Sequence, residues 1–201
     1  MRTISGLFDN HADARQAVAA LEAAGVPSRD ISIVSNNAGP DGAVEGESLA
    51  GEGAGTGAGI GAVAGGGLGL LTGLGLMAIP GVGPVVAAGW LAATAAGAVA
   101  GAVAGGAAGG LIGSLMDSGV PEEHAHVYAE GVRRGGSLVV ARVDEDRLDA
   151  AQAILSQSRP VDPVERRRLY EEAGWSRFDD TLDPYTPAEI EAERLRYRNL
   201  P

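Results

Sequence analysis

His124 and His126 stand two residues apart just after Glu122 and Glu123, so four side chains able to ligate a metal lie within five positions. The spacing argues against a metal site. Pro121 and the two acids predict a helix start, and on a helix positions i and i+2 point to different sides. Two ligands on one helix face need a separation of three or four. The glutamates suit the positive end of a helix dipole, and the histidines read as surface groups at a helix start. Asp144, Asp146 and Asp149 read in the same way, as acids at the start of a later helix.

Other chemistry is removed by composition. The chain has no cysteine, and all fifteen basic residues are arginine. Disulfides, thiolate nucleophiles, lysine Schiff bases and the P-loop lysine are therefore impossible. Gly59-x-Gly61-x-x-Ala64 and Gly73-x-Gly75-x-x-Ala78 loosely match a dinucleotide fingerprint. Neither directly follows a strand, and no acidic residue stands about twenty positions on. No nucleophile motif surrounds any serine. The expectation is a chain without catalytic residues, metal or cofactor, and so not an enzyme. A formal charge of -11 argues against nucleic acid as a partner. The basic run Arg166-Arg167-Arg168 reads as a solvated helix face, with anionic lipid headgroups as the other reading.

The elements around these residues divide by charge. From Gly53 to Met116 there is no charged residue at all. Residues 1–37 predict strand, helix, strand. Thr3 to Phe8 is extended, Asn10 caps a helix with Asp13 at the capping-box position, and Ala14, Ala17, Val18 and Leu21 form its apolar stripe. Gly25 and Pro27 stop that helix, and Ile31, Ile33 and Val34 begin a second strand. Residues 38–52 read as an acidic linker. Residues 117–160 predict helix, strand, helix: one helix from Pro121 to Gly135-Gly136, the strand Ser137–Val143, and a helix with Leu148, Ala151, Ile154 and Leu155 on one side. Residues 161–201 are a tail with an Arg-rich helix from Pro163 and a last helix opened by the capping box Thr186-Pro187-Ala188-Glu189. Trp175, Phe178 and Tyr185, between those helices, are expected to dock the tail on the body. The sum is an α+β fold, a small split-βαβ or ferredoxin-like three-stranded sheet completed by both halves.

The uncharged block, 53–116, carries a ladder. Glycine falls at every fourth position in Gly53, Gly57, Gly61, Gly65, Gly69 and Gly73, and again in Gly97, Gly101, Gly105, Gly109 and Gly113. This spacing makes sense on a helix, yet glycine costs about 0.8–1 kcal/mol per position there. A first arm over Ala54–Ala78 would carry a penalty on the order of 10 kcal/mol in water. Either a bilayer, which forces backbone hydrogen bonding, or close helix–helix packing must offset it. Pro80, Gly81, Gly83 and Pro84 predict a tight reversal into a second arm, Val85–Met116. The arms would be about 37 and 48 Å long, enough to span a bilayer. Each fourth residue advances about 40° around a helix, so the stripe drifts and meets more than one neighbour. That predicts homo-oligomerisation. A hairpin returns both charged parts to one side, and the flanking arginines make that side cytoplasmic. The expected placement is the inner membrane with the α/β domain in the cytoplasm. The alternative is a soluble, self-assembling particle in the cytoplasm with its hairpins packed inside.

The stretch TISGLFDNHADARQAVAALEAAGVPSRDISIVSN resembles the start of small bacterial heat-induced general stress proteins. The run VPEEHAHVYAEGVRRGGSLVVARVDEDRLDAAQAIL, with Tyr128, the Gly135-Gly136 pair and the Val-rich strand, is similar to that family's closing half. GWSRF at Gly174–Phe178 and PYT at Pro184–Thr186 resemble tails found on some members. The resemblance implies a stress-associated role and no catalytic residues. The function expected is therefore a non-enzymatic stress protein whose glycine-zipper hairpin inserts in a lipid bilayer and drives homo-oligomerisation. A small regulatory domain that binds an unidentified small molecule is a further reading.

Overall fold

The computed structural model describes residues 1–36, 75–79, 81–91 and 110–198. The ladder glycines from Gly53 to Gly73 and from Gly97 to Gly109, the linker and Pro80 lie outside the described residues.

The strands are β1 (Arg2–Phe8), β2 (Ile31–Asn36), β3 (Gly75–Ile79), β4 (Gly83–Ala88) and β5 (Ser137–Val143). The helices are α1 (His11–Ala23), α2 (Leu111–Asp117), α3 (Glu122–Arg133), α4 (Leu148–Gln157), α5 (Pro163–Glu172) and α6 (Pro187–Arg198). The architecture is α+β. All strands join one antiparallel sheet in the order β1-β5-β2-β4-β3.

β5 reads SLVVARV and lies between β1 and β2. A near-continuous apolar run is what a strand covered on both faces requires. Its side chains alternate accordingly. Val139, Ala141 and Val143 face α1 and α4 together with Ile4, Phe8, Ile31 and Ile33. Leu138 and Val140 face α2 and α3 together with Leu7, Val34, Val85 and Ala87. Helix α1 buries Ala14, Ala17, Val18 and Leu21, and the Asn10 side chain accepts from the Asp13 backbone N–H at 2.8 Å. Helices thus cover both faces of the sheet.

Two expectations are corrected. The sheet has five strands rather than three; α1 and α4 share one of its faces and α3 packs on the other. The reversal at Gly81 and Gly83 joins two strands rather than two helices. The ends of both predicted arms, 75–79 and 85–88, are ladders of the body's own sheet. The four-residue glycine spacing on either side drew the reading toward helix, although Ile79, Val82, Val85 and Val86 are β-branched and favour strand. Ile79, Val82 and Val85 are buried in one cluster with residues of α3. Gly113 lies in α2, a seven-residue helix.

The tail wraps the α3 side. Asp162 caps α5 through the Val164 and Glu165 backbone N–H groups. Thr186 and Glu189 cap α6 reciprocally, with Glu189 accepting from both the Thr186 hydroxyl and its backbone N–H at 2.8 Å. Between these helices Phe178 enters the core cluster that contains Ile79, Val82 and Val85.

Candidate functional site

A groove of about 530 Å³ opens where the start of α3 meets the tail, lined by Pro121, Glu122, Glu123, His126, Arg167, Trp175, Ser176 and Arg177. Helix α3 places His126 one turn after Glu122, and the His126 Nε2 lies 3.8 Å from the Glu122 carboxylate. The residues just after α5 turn Trp175 back so that its indole meets the Tyr170 ring edge-on at 5.5 Å. Two buried polar atoms of the lining, His126 Nδ1 and Trp175 Nε1, have no hydrogen-bond partner. An unmet buried polar group costs about 1–3 kcal/mol; the Trp175 indole N–H lacks an acceptor, and the His126 Nδ1, with Nε2 turned to Glu122, lacks a donor. Burial, followed by the positive charge of Arg177, holds the His126 pKa below its ordinary value. The ring is thus biased toward its neutral form.

The sequence-derived candidates separate here. His124 packs against Tyr128, with ring centroids 6.2 Å apart, while His126 lines the groove. Asp144, Asp146 and Asp149 are exposed. Among the described residues no group of three or more ligating side chains could hold a metal ion. Of the basic run, Arg168 is exposed and Arg167 half-exposed, as a solvated helix face would have them, whereas Arg166 is buried. Arg166 makes a two-pronged pair with Asp9 at 2.6 and 2.9 Å, Arg167 bonds Glu171 at 2.8 Å, and Arg168 bridges Glu165 and Glu172 at 2.5 Å.

The points where the chain passes into the glycine-rich segments are pinned to the body. At the end of β2, the Asn36 amide donates to the Val132 and Arg133 carbonyls at 3.1 and 3.2 Å. After β4, the Leu91 backbone N–H donates to Ser32 Oγ at 3.0 Å and the Trp90 indole to the Asp30 carbonyl at 3.3 Å. The Arg142 guanidinium lies 4.4 Å from the Trp90 ring centroid and bonds Asp30 at 3.2 Å. Cation–π stacking and an ion pair thus hold one exit.

A third cluster joins tail to body. Glu130 is fully buried and accepts from Arg134 at 2.6 Å, with Arg133 3.5 Å away. Arg134 lies over Tyr170 at 4.3 Å and bonds Glu193 of α6 at 3.0 Å. Arg166 lies over Tyr197 at 3.9 Å. Sequence reading missed Asp9, Glu130 and Arg134: Arg166 and Glu193, the tail partners of Asp9 and Arg134, lie scores of residues away, and the i,i+4 spacing of Glu130 and Arg134 does not show that the pair is buried. The only signal was the cluster of aromatic residues in a tail otherwise rich in charge.

No helix among the described residues is long and apolar enough to cross a membrane. Comparison with protein-family models, with curated proteins and with solved structures finds no match.

Proposed function

We propose that this chain is a non-enzymatic, stress-associated scaffold that self-associates through its glycine ladders, with the α/β body holding those ladders at fixed points. The supporting observation is the return of the chain into the sheet through β3 and β4 between the two ladders, with anchored exits at Asn36 and Trp90-Leu91. A body that grips both segments fixes their separation, and small residues at every fourth position then let backbones of neighbouring copies approach closely. In this reading β1, α1 and β2, with β5 between the strands, form a split βαβ unit carrying the insert.

The same return disfavours a trans-bilayer hairpin with 79–84 at its far tip. Ile79 and Val82 are buried against Phe178, which charged residues of the tail flank. Homo-oligomeric packing away from a bilayer is the reading that this geometry favours. The test is light scattering on the full chain, after carbonate washing of membranes from expressing cells. Gly61→Leu with Gly105→Leu is expected to reduce the particle mass to that of a single chain or a small oligomer. An unchanged mass overturns the ladder's role, and recovery in detergent alone favours the lipid reading.

The groove supports a second reading, a domain that binds a small, acceptor-rich molecule such as a carboxylate. The unmet Trp175 indole N–H favours it, with Arg167 and Arg177 among the lining residues. Titration with benzoate should move the His126 ring resonances in a saturable way. Absence of any shift, or equal shifts with neutral benzamide, rejects it.

A further inference from the structure

The tail segment after Trp175 crosses the body and comes to rest on the turn between β3 and β4. We propose that this segment is a clamp, whose seating on the turn holds the β3–β4 hairpin to the sheet and thereby fixes the spacing of the two glycine-rich segments. The proposal rests on the scaffold reading for its purpose but not for its geometry.

Two contacts define the seat. A Cβ on Gly81 would lie 2.6 Å from the Asp180 Cα and 2.9 Å from the Asp179 carbonyl oxygen, so backbone meets backbone there with no room for a side chain. A Cβ on Gly83 would lie 2.7 Å from the Pro184 Cβ. The turn is thus shaped to be covered. Two further contacts hold the cover down without touching the turn's backbone. Phe178 is 7% exposed and packs in the cluster with Ile79, Val82 and Val85. Arg133 of α3 donates to the Asp183 carbonyl at 2.8 Å and lies 5.0 Å from the Tyr185 ring centroid.

The cover adds to what pairing supplies. β3 is the last strand of the sheet and pairs only with β4 among the described strands, so the hairpin joins the rest of the sheet through the β2–β4 ladder alone. The first glycine-rich segment ends at β3 and the second begins soon after β4. Release of the clamp would therefore let the two roots move together, while β1, β5 and β2 stay paired.

Hydrogen exchange on the full-length chain tests this. Phe178→Ala acts from the tail and Arg133→Ala from α3; both loosen the clamp and leave the hairpin sequence intact. Each is expected to raise amide exchange over 75–88 by about tenfold or more relative to β1 and β5. Unchanged exchange at the hairpin, or equal acceleration in all strands, overturns the clamp. Particle mass, read separately by light scattering, reports on the scaffold reading, so the two ideas can fail independently.

Discussion

Arg134 donates to Glu130 at 2.6 Å across one turn of α3, and both side chains are shut away from water where the tail meets the body. Burial disfavours the Arg134 charge, but the Glu130 carboxylate outweighs it and the guanidinium pKa ends above its ordinary value. The pair is a fixed ionic centre with a cation–π roof in Tyr170.

Removing one partner of such a pair leaves the other buried with part of its charge unmet. Glu130→Ala leaves Arg134 with Glu193 and Arg133 with the Asp183 carbonyl, and is expected to lower unfolding stability by about 3 kcal/mol. Urea denaturation checks this. A loss below about 1 kcal/mol would mean that water reaches the site.

Arg166 depends on shape as well as charge. It grips Asp9 with two nitrogens and lies 3.9 Å over the Tyr197 ring. Lysine keeps the charge but neither the fork nor the flat stacking surface. Arg166→Lys is therefore expected to loosen the tail, with limited proteolysis between α5 and α6 faster by about tenfold and a shift in Trp175 fluorescence. Behaviour like the parent chain would show that charge alone docks the tail.

Gly81 and Gly174 separate backbone strain from contact. Both have positive φ, 72° and 88°, and a Cβ at Gly174 meets nothing within 4 Å. Gly174→Ala should cost about 1 kcal/mol from conformation alone. Gly81→Ala adds a clash with the Asp180 backbone and should cost about 2 kcal/mol or more. Thermal melts that rank them equally would place Asp180 away from the turn in solution.

His126 sets a pH dependence. Burial and Arg177 depress its pKa below 6.5, against Glu122, which acts to raise it. The unfolded chain then binds the proton more strongly than the folded one, so the stability linked to this ring is complete above about pH 6.5 and falls as the pH drops through that value. Urea midpoints at pH 7.5 and 5.5 should show the loss, and His126→Asn should flatten it. In Arg177→Ala the ring should titrate closer to 6.5 by NMR, and no change there would remove Arg177 from the groove wall.

Local chemistry was legible wherever a residue's role depends on its neighbours in sequence. Asn10 with Asp13, Thr186 with Glu189, and the alternating or continuous apolar runs of β1, β2 and β5 each carry their own geometry. The stripe Ala14, Ala17, Val18 and Leu21 is buried as its spacing requires. The residues of the groove were visible singly, as a histidine at a helix start and a tryptophan in the tail, but not as neighbours.

The sequence by itself determined the helix caps, the central strand and the uncharged character of residues 53–116, because these follow from side-chain periodicity and composition over a few turns. The tertiary structure decided that the turn at Gly81-Val82 joins strands, that α3 and α1 take opposite faces, and that Asp9, Glu130 and Arg134 hold the tail. Small apolar residues such as those of 75–88 carry too little intrinsic preference to choose between helix and strand. The choice falls to the pairing of β4 with β2 and to the burial of Ile79, Val82 and Val85 in one cluster with Phe178, both made by residues far away in the chain.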